Sequence, residues 1–257
     1  MSVLLRKELL ELWRTRRFLF LPLLFAVFGI SGPVLIRLLP VILKSAGTQG
    51  VPVEIPTMGP ADALLQYLSM ARQLGFLGII VLYMGIVANE RKEGTLTVLF
   101  VKPVSRLDFL WSRWSVNGAY VLLSVIIGAV LATVYTALLL GAPDVPAMVV
   151  ATVLYLAYTL LLFSWTLCFS ALMKGAAAAA GLSIIPLFVL PLLGYLWEPL
   201  GTYGPYGAVA AGTASLGGLA GPAVAVPASA WVSAGLDVVL AVGLVFAAYA
   251  ALRRTEL

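Results

Sequence analysis

Val116–Leu140 reads VNGAYVLLSVIIGAVLATVYTALLL, and Met148–Met173 reads MVVATVLYLAYTLLLFSWTLCFSALM. Neither stretch holds a charged residue. Each exceeds the roughly 20 apolar residues that carry a helix across a hydrocarbon core. In lipid the backbone has to satisfy its own polar groups, and strict apolar–polar alternation is absent, so these are helices and not barrel strands. Gly141–Pro146 joins them as a tight turn.

Four more apolar segments flank this pair: Phe18–Ile36, Leu74–Ala88 (reaching back toward Leu64), Ala176–Trp197 and Trp231–Leu252. The composition agrees. Of 257 residues 62% are apolar and 11% charged, with a mean hydropathy of +1.06, against about 45–50% and about 25% in soluble domains. A soluble enzyme, a disordered chain and a nucleic-acid binder are excluded. The expected fold is an all-α integral membrane protein, one domain over residues 1–257 with six transmembrane helices. The basic residues before the first segment could head a signal peptide. That run is longer than an h-region and no A-x-A-like site follows, so it is read as a retained span.

Histidine is absent and cysteine occurs once, at Cys168. Histidine-dependent intramembrane proteolysis, zinc sites of the HExxH kind and disulfides are therefore ruled out. Glu90 and Glu93 sit among basic residues, a poor setting for a metal-dependent lipid transferase. No metal ligands are expected.

Thirteen of the sixteen basic residues fall before the first span, between the second and third, between the fourth and fifth, or after the sixth. The positive-inside rule then places both termini in the cytoplasm of a multi-pass protein of the cell inner membrane. Residues 198–230 carry no charge after Glu198 and are broken by Gly201, Gly204, Pro205, Gly217, Gly218 and Pro222. They are expected to form an outer re-entrant segment, since irregular backbone at membrane depth survives only against protein.

Two cytoplasmic stretches are informative. Within residues 1–17, Leu5, Leu9, Leu12 and Trp13 fall on one helical face and Arg6, Lys7, Glu11, Arg14 and Arg17 on the other. This is an amphipathic helix lying in the membrane interface, in contact with lipid. Residues 89–114 form a loop dense in both charge signs: Glu90, Arg91, Lys92, Glu93, Gly94 and Thr95, then Arg106. Glu90 to Gly94 extends the second span and breaks at glycine. Thr95–Val101 starts a short helix that Pro103 ends. A short helix of mixed charge suits docking in a groove of a cytoplasmic partner.

The run ERKEGTL at 90–96, then KPVSR at 102–106 and Phe109, resembles the coupling segment of type-2 ABC transporter permeases. RKELLELWRTRR at 6–17 resembles the elbow helix of the same family. The resemblance implies a membrane-spanning permease subunit of an ATP-driven exporter. Such a subunit works as a dimer with a second permease chain and attaches through the loop to a separate ATP-binding cassette ATPase. ATP and Mg belong to that partner. None of the five lysines follows a glycine, so a phosphate-binding P-loop is absent here. A non-transporting anchor or sensor subunit has the same sequence features, as has a permease serving metalloenzyme maturation.

Arg72 and Asp237 fall inside apolar spans, where charge is costly. They are a candidate outer gate if they pair. The alternative is an arginine that snorkels to the headgroups and an aspartate bonded locally.

Overall fold

The computed structural model describes residues 2–14, 17–46, 58–94, 105–219 and 221–254. It contains no strand among the described residues. Six helical stretches have the length and hydropathy to cross a membrane: Phe18–Leu43, Pro60–Lys92, Arg106–Leu139, Val145–Leu172, Ala176–Leu196 and Ala228–Arg253. The protein is an all-helical, multi-pass membrane protein.

α1 (Ser2–Arg14) lies beside the bundle and α2 (Arg17–Ala46) forms the first span. The second span is composite. α3 (Pro60–Met70) passes through one wide π turn, Ala71–Gly75, into α4 (Phe76–Tyr83), and after a turn α5 (Ala88–Lys92) ends it. α6 (Arg106–Leu139), α7 (Val145–Leu172) and α8 (Ala176–Leu196) follow. Two short helices, α9 (Glu198–Tyr203) and α10 (Gly207–Ala214), precede the last span, α11 (Ala228–Arg254). With six spans both termini lie at one end, here called the termini end; the other is the distal end.

The observed spans outrun their apolar runs. The second begins at Pro60 and the third at Arg106, ten residues before Val116. Charge at a helix end costs nothing where it reaches water, so helices continue past the apolar core. Caps fix these starts: Ser105 Oγ accepts from Asp108 N at 2.9 Å, and Asp144 Oδ1 from Ala147 N at 3.0 Å. α2 runs through Pro33 and Pro40 to Ala46, ten residues beyond the apolar run that ends at Ile36.

The main core joins the first four spans through Leu21, Phe25, Leu64, Tyr67, Phe76 and Phe163. α2 and α6 meet at two glycines. A Cβ on Gly29 would come within 2.3 Å of Gly128 O, and one on Gly128 within 2.6 Å of Phe25 O. Without a hydrophobic drive between helices in lipid, such close approach supplies the packing. The Tyr67 hydroxyl donates to Val125 O at 2.7 Å in the same layer.

The fourth span is half buried and central, whereas only 17% of the fifth is covered by the chain. Residues 198–216 pack onto the distal end of the bundle. Gly207, Ala208, Val209 and Gly212 are buried against Leu154 of α7 and Ala230 and Ala234 of α11. Ser233 on α11 clamps them, donating to Gly204 O at 2.6 Å and accepting from Ala208 N at 2.8 Å. Asp62 accepts from Leu219 N at 2.7 Å, tying the same segment to the second span.

Candidate functional site

The site at the termini end is built around Arg113, which sits two turns into α6. Its side chain is the largest fully buried one among the described residues. Nε donates to Glu8 Oε1 of α1 at 3.2 Å. Nη1 donates to Ile86 O in the turn that breaks the second span, and Nη2 to Glu90 Oε1 of α5. The guanidinium lies 4.5 Å from the centroid of the Phe109 ring, and Asn117 Nδ2 donates back to Arg113 O at 2.9 Å. One planar fork thus holds α1, the end of the second span and α6, a geometry that a lysine lacks.

The turn explains why Ile86 O is available. The helix breaks between Tyr83 and Ala88, which frees a carbonyl from the intrahelical ladder. Ser170 of α7 accepts from Val87 N and Ala88 N at 3.0 and 3.2 Å, so the broken turn is satisfied on both sides.

A cavity of about 360 Å³ opens beside Arg113. Glu8, Glu11, Asn89, Glu90, Glu93 and Asn117 line it with apolar residues of α4 and Ala176. Four carboxylates against one buried arginine make it acidic. Burial pushes the Glu8 carboxyl above its usual range, and the Arg113 charge opposes that rise. Among the described residues no group of three potential metal ligands occurs.

The structure distributes the sequence candidates unevenly. Glu90 is turned inward onto Arg113. Arg91 reaches Ala171 O at 3.5 Å. Lys92, Glu93 and Gly94 are exposed, and Gly94 ends the helix with φ +71°, a conformation that suits glycine. Arg106 donates to Leu252 O and ties α6 to the end of α11. Thr95, and the helix expected over Thr95–Val101, lie outside the described residues.

α1 presents Leu4, Leu5, Glu8 and Leu12 toward the bundle, while Leu9, Leu10 and Trp13 stay exposed. The sequence reading missed Glu8 and Arg113. A signal existed: Glu8 shares the face of Leu5 and Leu12, and a carboxylate on an apolar face calls for a buried basic partner.

Arg72 and Asp237 are not brought into an ion pair. Arg72 Nη1 donates to the Tyr206 hydroxyl at 2.5 Å, with its guanidinium carbon 5.6 Å from that ring's centroid. Asp237 is fully buried, and neither carboxylate oxygen has a hydrogen-bond partner among the described residues. Arg72 is thus held by Tyr206, and Asp237 has no local hydrogen bond. The re-entrant segment supplies Tyr206 at the level where the arginine enters the bundle.

Residues 2–204 match the family described as ABC-2 family transporter protein. A relative in Bacillus subtilis (strain 168), described as the uncharacterized transmembrane protein YxlG, is 27% identical over 188 residues. That alignment covers 72% of this chain and 73% of the relative. Six apolar spans and a match over most of the chain place this protein in the ABC-2 family of membrane transport components.

Proposed function

We propose that the chain is the permease subunit of an ATP-driven exporter. It forms the translocation pathway with a second permease chain and docks a separate ATP-binding cassette ATPase, which carries ATP and Mg. The termini end faces the cytoplasm across the inner membrane, since Arg6, Lys7, Arg14, Lys92, Lys174 and Arg253 gather there. The observation that carries the reading is the charged stub at the foot of the second span. α5 exposes Lys92 and Glu93 while Arg113 locks its Glu90 to α6 and α1. A push on α5 is then delivered to three elements at once.

The dimer rests on a separate observation. Gln73 is exposed in the middle of the second span, and the neighbouring fifth span is scarcely covered. An amide facing hydrocarbon is costly, whereas one facing another chain or an aqueous path is not.

A photo-crosslinker placed at Glu93 in the assembled complex tests the docking. Attachment to the ATPase is the expected result. A correctly folded complex in which position 93 never reaches the ATPase rejects it. The isolated chain should neither bind nor hydrolyse ATP, and stoichiometric nucleotide binding by it would overturn the division of labour.

A further inference from the structure

Asp237 lies about two and a half turns into α11, on the face that carries Ala230, Ser233, Ala234 and Ala241, all buried. Its exposure is 0%. Both of its oxygens lack a hydrogen-bond partner among the described residues, and so does the buried hydroxyl of Tyr158 on the facing helix α7. Tyr158 is within electrostatic reach of Tyr155, Tyr206, Arg72 and Asp237. Its ring centroid lies 6.2 Å from that of Tyr206.

An ionised carboxylate in the middle of an apolar bundle needs donors or a counter-charge. Arg72 is committed to the Tyr206 hydroxyl, and no ion pair joins it to Asp237. A bound metal ion is poorly served as well. Magnesium takes about six ligands and calcium about six to eight, mostly oxygens. The orphaned groups here offer three oxygens, and among the described residues no group of three acidic, histidine or cysteine side chains occurs. A proton needs only one oxygen. It removes the charge, and with it most of the cost of burying the group.

We propose that Asp237 is a proton-binding site inside the bundle. The step is simple: the carboxylate takes a proton from water, one O–H bond forms, and no other bond changes. On the elements packed against α11, the titratable and charged groups are Tyr155 and Tyr158 of α7, with Tyr206 and Arg72 in electrostatic reach of Tyr158, Glu198 and Tyr203 of α9, and Arg106, Asp108, Arg113, Tyr120 and Tyr135 of α6. α10 itself carries none. This assignment stands apart from the transport reading, because it concerns the protonation of one side chain in the folded chain.

The chain has four aspartates, Asp62, Asp108, Asp144 and Asp237. That permits a direct measurement on the full chain in lipid bilayers, with carbon-13 in the aspartate carboxyls. At neutral pH three signals should be those of carboxylates and one that of a protonated acid. The infrared spectrum should carry the matching carboxylic-acid carbonyl band, lost in Asp237→Asn, whose neutral amide preserves the shape. Arg72→Gln should leave Asp237 protonated. Four carboxylate signals at neutral pH would overturn the proposal, whether or not the variants fold. So would a signal that sodium or potassium converts.

Discussion

At the termini end Arg113 donates to two carboxylates and a carbonyl. Near the distal end Asp237, equally buried, accepts from nothing in the described chain, while the arginine of that region has gone to a tyrosine. Both regions place charge where water is scarce. In the first, opposite charges from three separate elements converge, so desolvation is offset by pairing and the elements are held together. In the second, the charges are split between spans with two tyrosines between them, so the carboxyl can be neutral while the arginine keeps a polar contact. Pairing gives a rigid joint. Separation gives a group whose protonation is free to matter.

The largest effect expected from breaking this comparison is at Arg113. Arg113→Met strands Glu8 and Glu90 in a buried site and should cost about 3–5 kcal/mol, read as lost resistance to unfolding in lipid or detergent. A negligible loss would mean that the joint contributes nothing. Tyr206→Phe removes the acceptor for Arg72, and a hydrogen bond to a charged group is worth about 1.5–3 kcal/mol. A double-mutant cycle of Tyr206→Phe with Arg72→Gln should therefore show strong coupling. The same cycle between Asp237→Asn and Arg72→Gln should be close to additive. The reverse pattern would restore the direct pair that the sequence suggested.

Ser233→Ala should cost about 1–2 kcal/mol by leaving Ala208 N unsatisfied, and should raise hydrogen exchange in residues 204–212 first. Exchange unchanged there would show that the re-entrant segment is held by packing alone. The smallest effect concerns Glu8. Its carboxyl is raised above the usual range by burial, with Arg113 opposing. The stability it contributes is thus complete below the ordinary glutamate range and is lost as pH rises through the raised folded value. Glu8→Gln should match the wild type in acid and be slightly the more stable above that range. A thermal-unfolding series against pH checks the sign. A wild type that gains on the variant as pH rises would mean that the Arg113 pair outweighs burial.

Much of the architecture was legible before any coordinates. The charge-free runs from Val116 and Met148 dictate spanning helices, because lipid offers the backbone no other way to satisfy its polar groups. The glycines and prolines of residues 198–230 mark a segment that cannot form one spanning helix, and there the structure has two short helices, α9 and α10. The foot of the second span was legible too. Gly94 breaks the helix there, though that Glu90 turns inward and Glu93 outward was not readable.

Tertiary structure alone decided which charges meet. Arg113 looked like one more basic residue of a loop, since nothing local distinguishes it from Arg106. It became the hub because α6 starts at Arg106 and turns that side chain toward α1 and the broken end of the second span. Arg72 and Asp237 looked like partners because they are opposite charges in apolar spans. The rotation of each helix, and a tyrosine arriving from the re-entrant segment, separated them. Hydropathy is a property summed along the chain, so it fixes which segments cross the membrane. Pairing depends on the rotation and depth of helices far apart in sequence, and packing sets those only when the bundle closes.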